Sequence, residues 1–70
     1  MGYVVNCRLG MILAERKCDI EELSEETGIA ISTLYKYMRD SIQPNLLNAI
    51  KIADYLQCSI EDIWSYYYRR

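Results

Sequence analysis

Between Ile31 and Ser41 the sequence ISTLYKYMRDS carries hydroxyls at Ser32, Thr33, Tyr35, Tyr37 and Ser41 and two cations, Lys36 and Arg39. At 3.6 residues per turn, Leu34 with Tyr37 or Met38 takes one side of a helix. Ile31, Ser32, Tyr35, Lys36 and Arg39 are left on the other. Such a face offers hydrogen-bond donors and positive charge, chemistry for holding an anionic partner.

The rest of the chain offers little for making or breaking bonds. There is no His, and Cys7, Cys18 and Cys58 form no C-x-x-C or Cys/His cluster. A zinc site, a disulfide framework and an activated thiol are therefore disfavoured, and the three Cys read as small reduced hydrophobes. No Gly-rich phosphate loop occurs. Asp19, Glu21, Glu22, Glu25 and Glu26 cluster, but along a helix, where a charge run is a solvated face without the enclosed pocket that acid–base or metal chemistry needs. The expectation is a non-enzyme with no metal and no cofactor.

The elements that must position the 31–39 face lie just before it. Leu23 and Leu34 read as inward anchors on two short helices. Gly28 stands where the first must stop, in the left-handed region that only Gly enters without steric penalty. Ile29 follows as an apolar plug, and Ser32 and Thr33 open the second helix. Two angled helices joined by so short a turn form a helix-turn-helix, here about residues 20–39, whose second helix enters the DNA major groove.

Seventy residues make one domain at the low end of what a single core stabilises. Only one Pro and three Gly interrupt the chain, which points to an all-α, compact five-helix fold over residues 1–70. A helix from about Cys7 to Lys17 carries Leu9, Ile12, Leu13 and Arg16 on one side, with Gly10 permitting close approach of another backbone. Asp19 caps the second helix with Glu22 at capping-box spacing, and Leu23 and Thr27 face inward. Pro44 closes the loop after the third helix. Asn45 caps a fourth, reaching about Leu56, with Leu46, Ala49, Ile50 and Ala53 as its stripe, widened by Ile52 and Leu56. Ser59 and Asp62 cap a short fifth, with Ile60 and Ile63 inside. In residues 1–6, Tyr3, Val4 and Val5 have strand propensity, so the segment reads as an extended arm, an edge contact or an N-terminal cover for the core. Residues 64–70 form an aromatic tail, of which Trp64, Tyr66, Tyr67 and Tyr68 are candidates for a dimer interface or else wrap back over the first and fourth helices as core cover.

Taken in order, LGMILAERK, EELSEETGIAISTLYKYM and PNLLNAIKIADYLQCSIEDIW resemble the successive helices of the lambda-repressor/Cro (XRE-type) helix-turn-helix family, the small bacterial and prophage regulators above all. The resemblance covers nearly the whole chain. It implies a recognition helix at 31–39, with Ile31, Ser32, Tyr35 and Lys36 facing base edges, Thr33 beside them, and Arg39 and Ser41 near phosphates. It also implies dimers on paired half-sites. Two positions depart from the family pattern: Ile20 stands where Gln is usual, and Ala30 replaces the usual Ser or Thr cap.

The net charge is −2, against the basic excess usual in DNA-binding domains. Five of the ten acidic residues lie between Asp19 and Glu26, leaving five against eight basic residues elsewhere. The functional expectation is a cytoplasmic, sequence-specific transcriptional regulator, a repressor that binds double-stranded DNA as a homodimer. The rival is a protein-binding adaptor or antirepressor on the same fold, favoured by the acidic balance, the apolar Ile20 and Ile31 and the aromatic tail. No apolar run is long enough to span a bilayer, so no membrane partner is expected.

Overall fold

The computed structural model describes residues 2–70. Its elements are β1 (Gly2–Cys7), α1 (Leu9–Glu15), α2 (Ile20–Thr27), α3 (Ile31–Met38), α4 (Leu46–Leu56), α5 (Ile60–Ile63) and β2 (Trp64–Arg69). The five helices fall in the expected order, but the fold is α+β rather than all-α. The first and last elements pair as an antiparallel two-stranded sheet, from Gly2 opposite Arg69 to Cys7 opposite Trp64. Tyr3, Val4, Val5 and Tyr66–Tyr68 are aromatic and β-branched, types that fit a pleated strand. Neither segment can hold itself extended; each needs the other's backbone groups, and no turn sequence joins them.

The helices bury one core. Leu9, Leu23, Leu34, Ile52 and Ile63 lie fully inside, joined by Ile12, Leu13, Ile29, Tyr37, Ala49, Ala53, Leu56 and Trp64. The first helix is shorter than its sequence pattern implied, because Cys7 belongs to β1. It ends with Lys17 in the left-handed region at φ 52°, where the Lys17 N–H donates to the Ala14 carbonyl and the Cys18 N–H to Leu13. This is a Schellman closure without Gly. Asp40 and Gln57 close α3 and α4 with the same paired bonds, at φ 57° and 54°. Arg16, an exposed residue overall, donates from its guanidinium to the Leu56 carbonyl at the end of α4, where positive charge suits the helix dipole.

On α4 the buried stripe is Ala49, Ile52, Ala53 and Leu56, so of the expected stripe with its widening residues only Leu46 and Ile50 fall outside it. Leu46 and Ile50 are exposed, as is Leu47. The helix LLNAIKIADYL is apolar almost all round, so periodicity alone leaves its rotation open. Packing selects the side with the two small Ala residues. Gly10 on α1 faces the terminal methyl of Met38 on α3, which a Cβ there would meet at 3.1 Å, so the approach is by a side chain rather than a backbone.

Two of the three proposed side-chain caps form. Asn45 Oδ1 accepts from the Asn48 N–H at 2.8 Å. Ser59 and Asp62 make a reciprocal capping box at 3.1 and 3.0 Å. Hydrogen bonds from the Ser59 backbone and then its side chain hold the Asp62 carboxyl below its ordinary pKa. Asp19 has cap geometry but makes no side-chain cap bond. Glu22, its expected capping-box partner, instead accepts from the Tyr55 hydroxyl on α4.

Candidate nucleic-acid interface

The turn that aims α3 is built by backbone geometry and two hydroxyls. Gly28 sits at φ 75° and donates its N–H to the Ser24 carbonyl at 2.8 Å. Ser24 Oγ donates to the Ile29 carbonyl at 2.6 Å, and Thr27 Oγ1 donates to Leu23 at 2.7 Å while accepting from the Ile29 N–H at 3.3 Å. These bonds satisfy polar groups that the turn would otherwise leave open. They fix the entry angle of α3 while Ile29 is buried beneath. The inward position of Thr27 does not by itself convey this role, and helical periodicity does not single out Ser24. Their signal is local: a hydroxyl four residues before Gly28 and another immediately before it.

From that turn, α3 runs with Leu34 and Tyr37 buried and Thr33 and Met38 half-buried. Tyr37 is locked at its far end, its hydroxyl accepting from Asn48 Nδ2 on α4 at 3.0 Å. Ile31, Ser32, Tyr35, Lys36 and Arg39 are all exposed and share the outward face, and Ser41 is exposed in the turn beyond. The Ser41 N–H donates to the Lys36 carbonyl, so the turn is tied to the helix end. Thr33, pointing partly inward, belongs to the rim of this face. The acidic residues Glu21, Glu22, Glu25 and Glu26 are exposed on α2. The nearest carboxylate in sequence is Asp40, directly between Arg39 and Ser41.

Two departures from the usual pattern resolve structurally. Ile20 is half-buried and packs against the core instead of reaching outward. Ala30 holds cap geometry, φ −60° and ψ 143°, with no side-chain cap bond. The exposed cationic and hydroxyl face of α3 lies opposite the buried Leu34 and Tyr37, and such a face can donate to phosphates and base edges.

The family model for the Cro/C1-type helix-turn-helix DNA-binding domain matches residues 8–67, from the foot of the sheet through all five helices. The chain belongs to this family. Among solved structures, this member of the Cro/C1-type family is similar to that of the transcriptional regulator VanUg. Identity is 27%, the match covers 99% of this chain and 92% of that one, and the TM-score is 0.77. Comparison with curated proteins gives no match.

Of the other expected site residues, Trp64 is a core residue at 7% exposure. It is not on the surface with Tyr66, Tyr67 and Tyr68, which are exposed on β2. Burial, its first cause in each case, raises the thiol pKa of Cys7, Cys18 and Cys58. That is the direction opposite to an activated nucleophile. Among the described residues no group of three or more potential ligands could hold a metal, and no helix is long and apolar enough to cross a membrane.

Proposed function

We propose that this protein is a sequence-specific transcriptional regulator that represses by occupying an operator as a homodimer, with α3 in the major groove of each half-site. The observation that carries the reading is the exposed face of Ile31, Ser32, Tyr35, Lys36 and Arg39 on a helix whose opposite side is locked by Leu34 and Tyr37. Membership of a DNA-binding domain family supports it, as does the name of VanUg, a transcriptional regulator. Ser32 and Lys36 serve base edges, Ile31 packs on a thymine methyl, Tyr35 beside them stacks or reaches a phosphate, and Arg39 and Ser41 reach phosphates. With no Arg, Asn or Gln at the base-facing positions, discrimination per base pair is modest.

The test is binding of Lys36→Ala and Arg39→Ala proteins to a duplex library at two salt concentrations. Loss of a phosphate contact weakens all sequences alike and reduces the salt slope by about one. Loss of a base contact costs about 1–3 kcal/mol and relaxes preference at one position. Unchanged affinity and salt slope in both variants would reject DNA reading through α3 in favour of a protein-binding adaptor.

A further inference from the structure

The outward face of α3 is made of two rows. Ile31 and Tyr35 stand one turn apart in the first, 36% and 45% exposed, and Ser32 and Lys36 stand one turn apart in the second, also exposed. From Ile31 to Met38 the helix carries no Asp, Glu, Asn, Gln or Arg. It therefore lacks the bidentate and carboxylate contacts that tell bases apart by hydrogen bonding. Ser32 stands beside Ile31, and its hydroxyl both donates and accepts. It satisfies the O4 acceptor of a thymine and the N4 donor of a cytosine equally well. Lys36 only donates, but it lies ~7.5 Å farther along the helix than Ile31. That is roughly two base-pair steps, at ~3.4 Å each. At the base pair that Ile31 meets, hydrogen bonding leaves the choice of pyrimidine open.

The exposed apolar side chain of Ile31 closes that choice. The C5 methyl of thymine is the one apolar group that the four bases present in the major groove. 5-Methylcytosine carries the same methyl on the same ring atom, beside an N4 amino group that donates to a hydroxyl such as that of Ser32. Unmodified cytosine leaves Ile31 against a bare C–H edge. We infer that α3 reads a C5 methyl group through Ile31, with Ser32 bonding thymine and cytosine alike, so that 5-methylcytosine stands in for thymine in the half-site. Cytosine methylation at that position converts a weakly held duplex into one held like its thymine counterpart. Burial of one methyl group is worth about fourfold in affinity. Methylation thus modulates occupancy of the DNA and does not switch it on or off.

This inference rests on the reading of α3 as the helix that enters the groove, and its test separates the two. The probe is the tightest-binding duplex from a random-sequence library, titrated with the full chain by fluorescence anisotropy. Each thymine in turn is replaced by deoxyuridine, which removes only the methyl. Each thymine–adenine pair is also replaced by cytosine–guanine and by 5-methylcytosine–guanine. At the pair that Ile31 meets, deoxyuridine is expected to bind about fourfold more weakly than thymine, and cytosine about fourfold more weakly than 5-methylcytosine. Both differences are expected to vanish in Ile31→Ala, with far-UV dichroism reporting the fold. A chain that binds duplex in a salt-dependent way but holds deoxyuridine and thymine alike at every position overturns the inference and leaves DNA reading standing. So does 5-methylcytosine bound no more tightly than cytosine, or a methyl effect that survives in Ile31→Ala. A chain that binds no duplex overturns both.

Discussion

The Tyr55 hydroxyl on α4 donates a hydrogen bond to the Glu22 carboxylate on α2, tying the two helices at the surface. That bond, ahead of desolvation and the Glu22 charge, pushes the Tyr55 pKa up to about 12 from its ordinary 10.0. A pKa raised in the folded state means that the protonated phenol is the form the fold favours. The stabilisation is therefore complete below pH 10.0 and disappears as pH rises toward about 12. Denaturant midpoints of the native chain and Tyr55→Phe are expected to differ at neutral pH and to converge across that alkaline window. Ultraviolet titration of the phenols checks the same shift directly.

Ala30 sits in cap geometry at the start of α3 with no side chain to use it. Ala30→Ser supplies the missing acceptor for an N–H of the first turn. Such caps contribute about 0.5–2 kcal/mol, so the variant is expected to raise the thermal midpoint by a few degrees. Calorimetry checks it. The backbone of α3 stays in place, and DNA preference is expected to stay with it.

Asp40 is the closing residue of α3, at φ 57° between Arg39 and Ser41. A carboxylate there repels phosphate on the flank of the proposed interface. Asn tolerates the left-handed conformation and removes the charge. Asp40→Asn is expected to leave stability nearly unchanged and to tighten binding to all duplexes, most at low salt. Anisotropy titrations at two ionic strengths measure it, and looser binding at low salt would contradict the placement.

Leu34 is fully buried beneath the exposed face of α3. Leu34→Ala leaves a cavity costing about 2–5 kcal/mol. In so small a domain that is a large part of total stability. Urea denaturation is expected to show the variant substantially unfolded at its base line, with the exposed residues of α3 no longer held in register.

The sequence by itself determined what one or two turns of chain can encode. Gly28 must close α2, because a Cβ at positive φ is penalised wherever the chain goes next. Leu23 and Leu34 must face each other once that turn is made. Asn45 and the Ser59–Asp62 pair satisfy donors three residues away and need no other part of the molecule. The outward set from Ile31 to Arg39 follows from Leu34 and Tyr37 being inward. Where several local choices were equivalent, tertiary structure decided. Asp19 and Glu22 had capping-box spacing, yet Tyr55, thirty-three residues farther along, took Glu22. Helix α4 was apolar on most sides, and only packing of the small Ala49 and Ala53 turned Leu46 and Ile50 outward. The strands depended most on distance. Residues 2–7 and 64–69 are extended because each satisfies the other's backbone, and no local pattern records a partner at the far end of the chain. That long-range pairing is what buries Trp64 and leaves Tyr66 exposed two residues later.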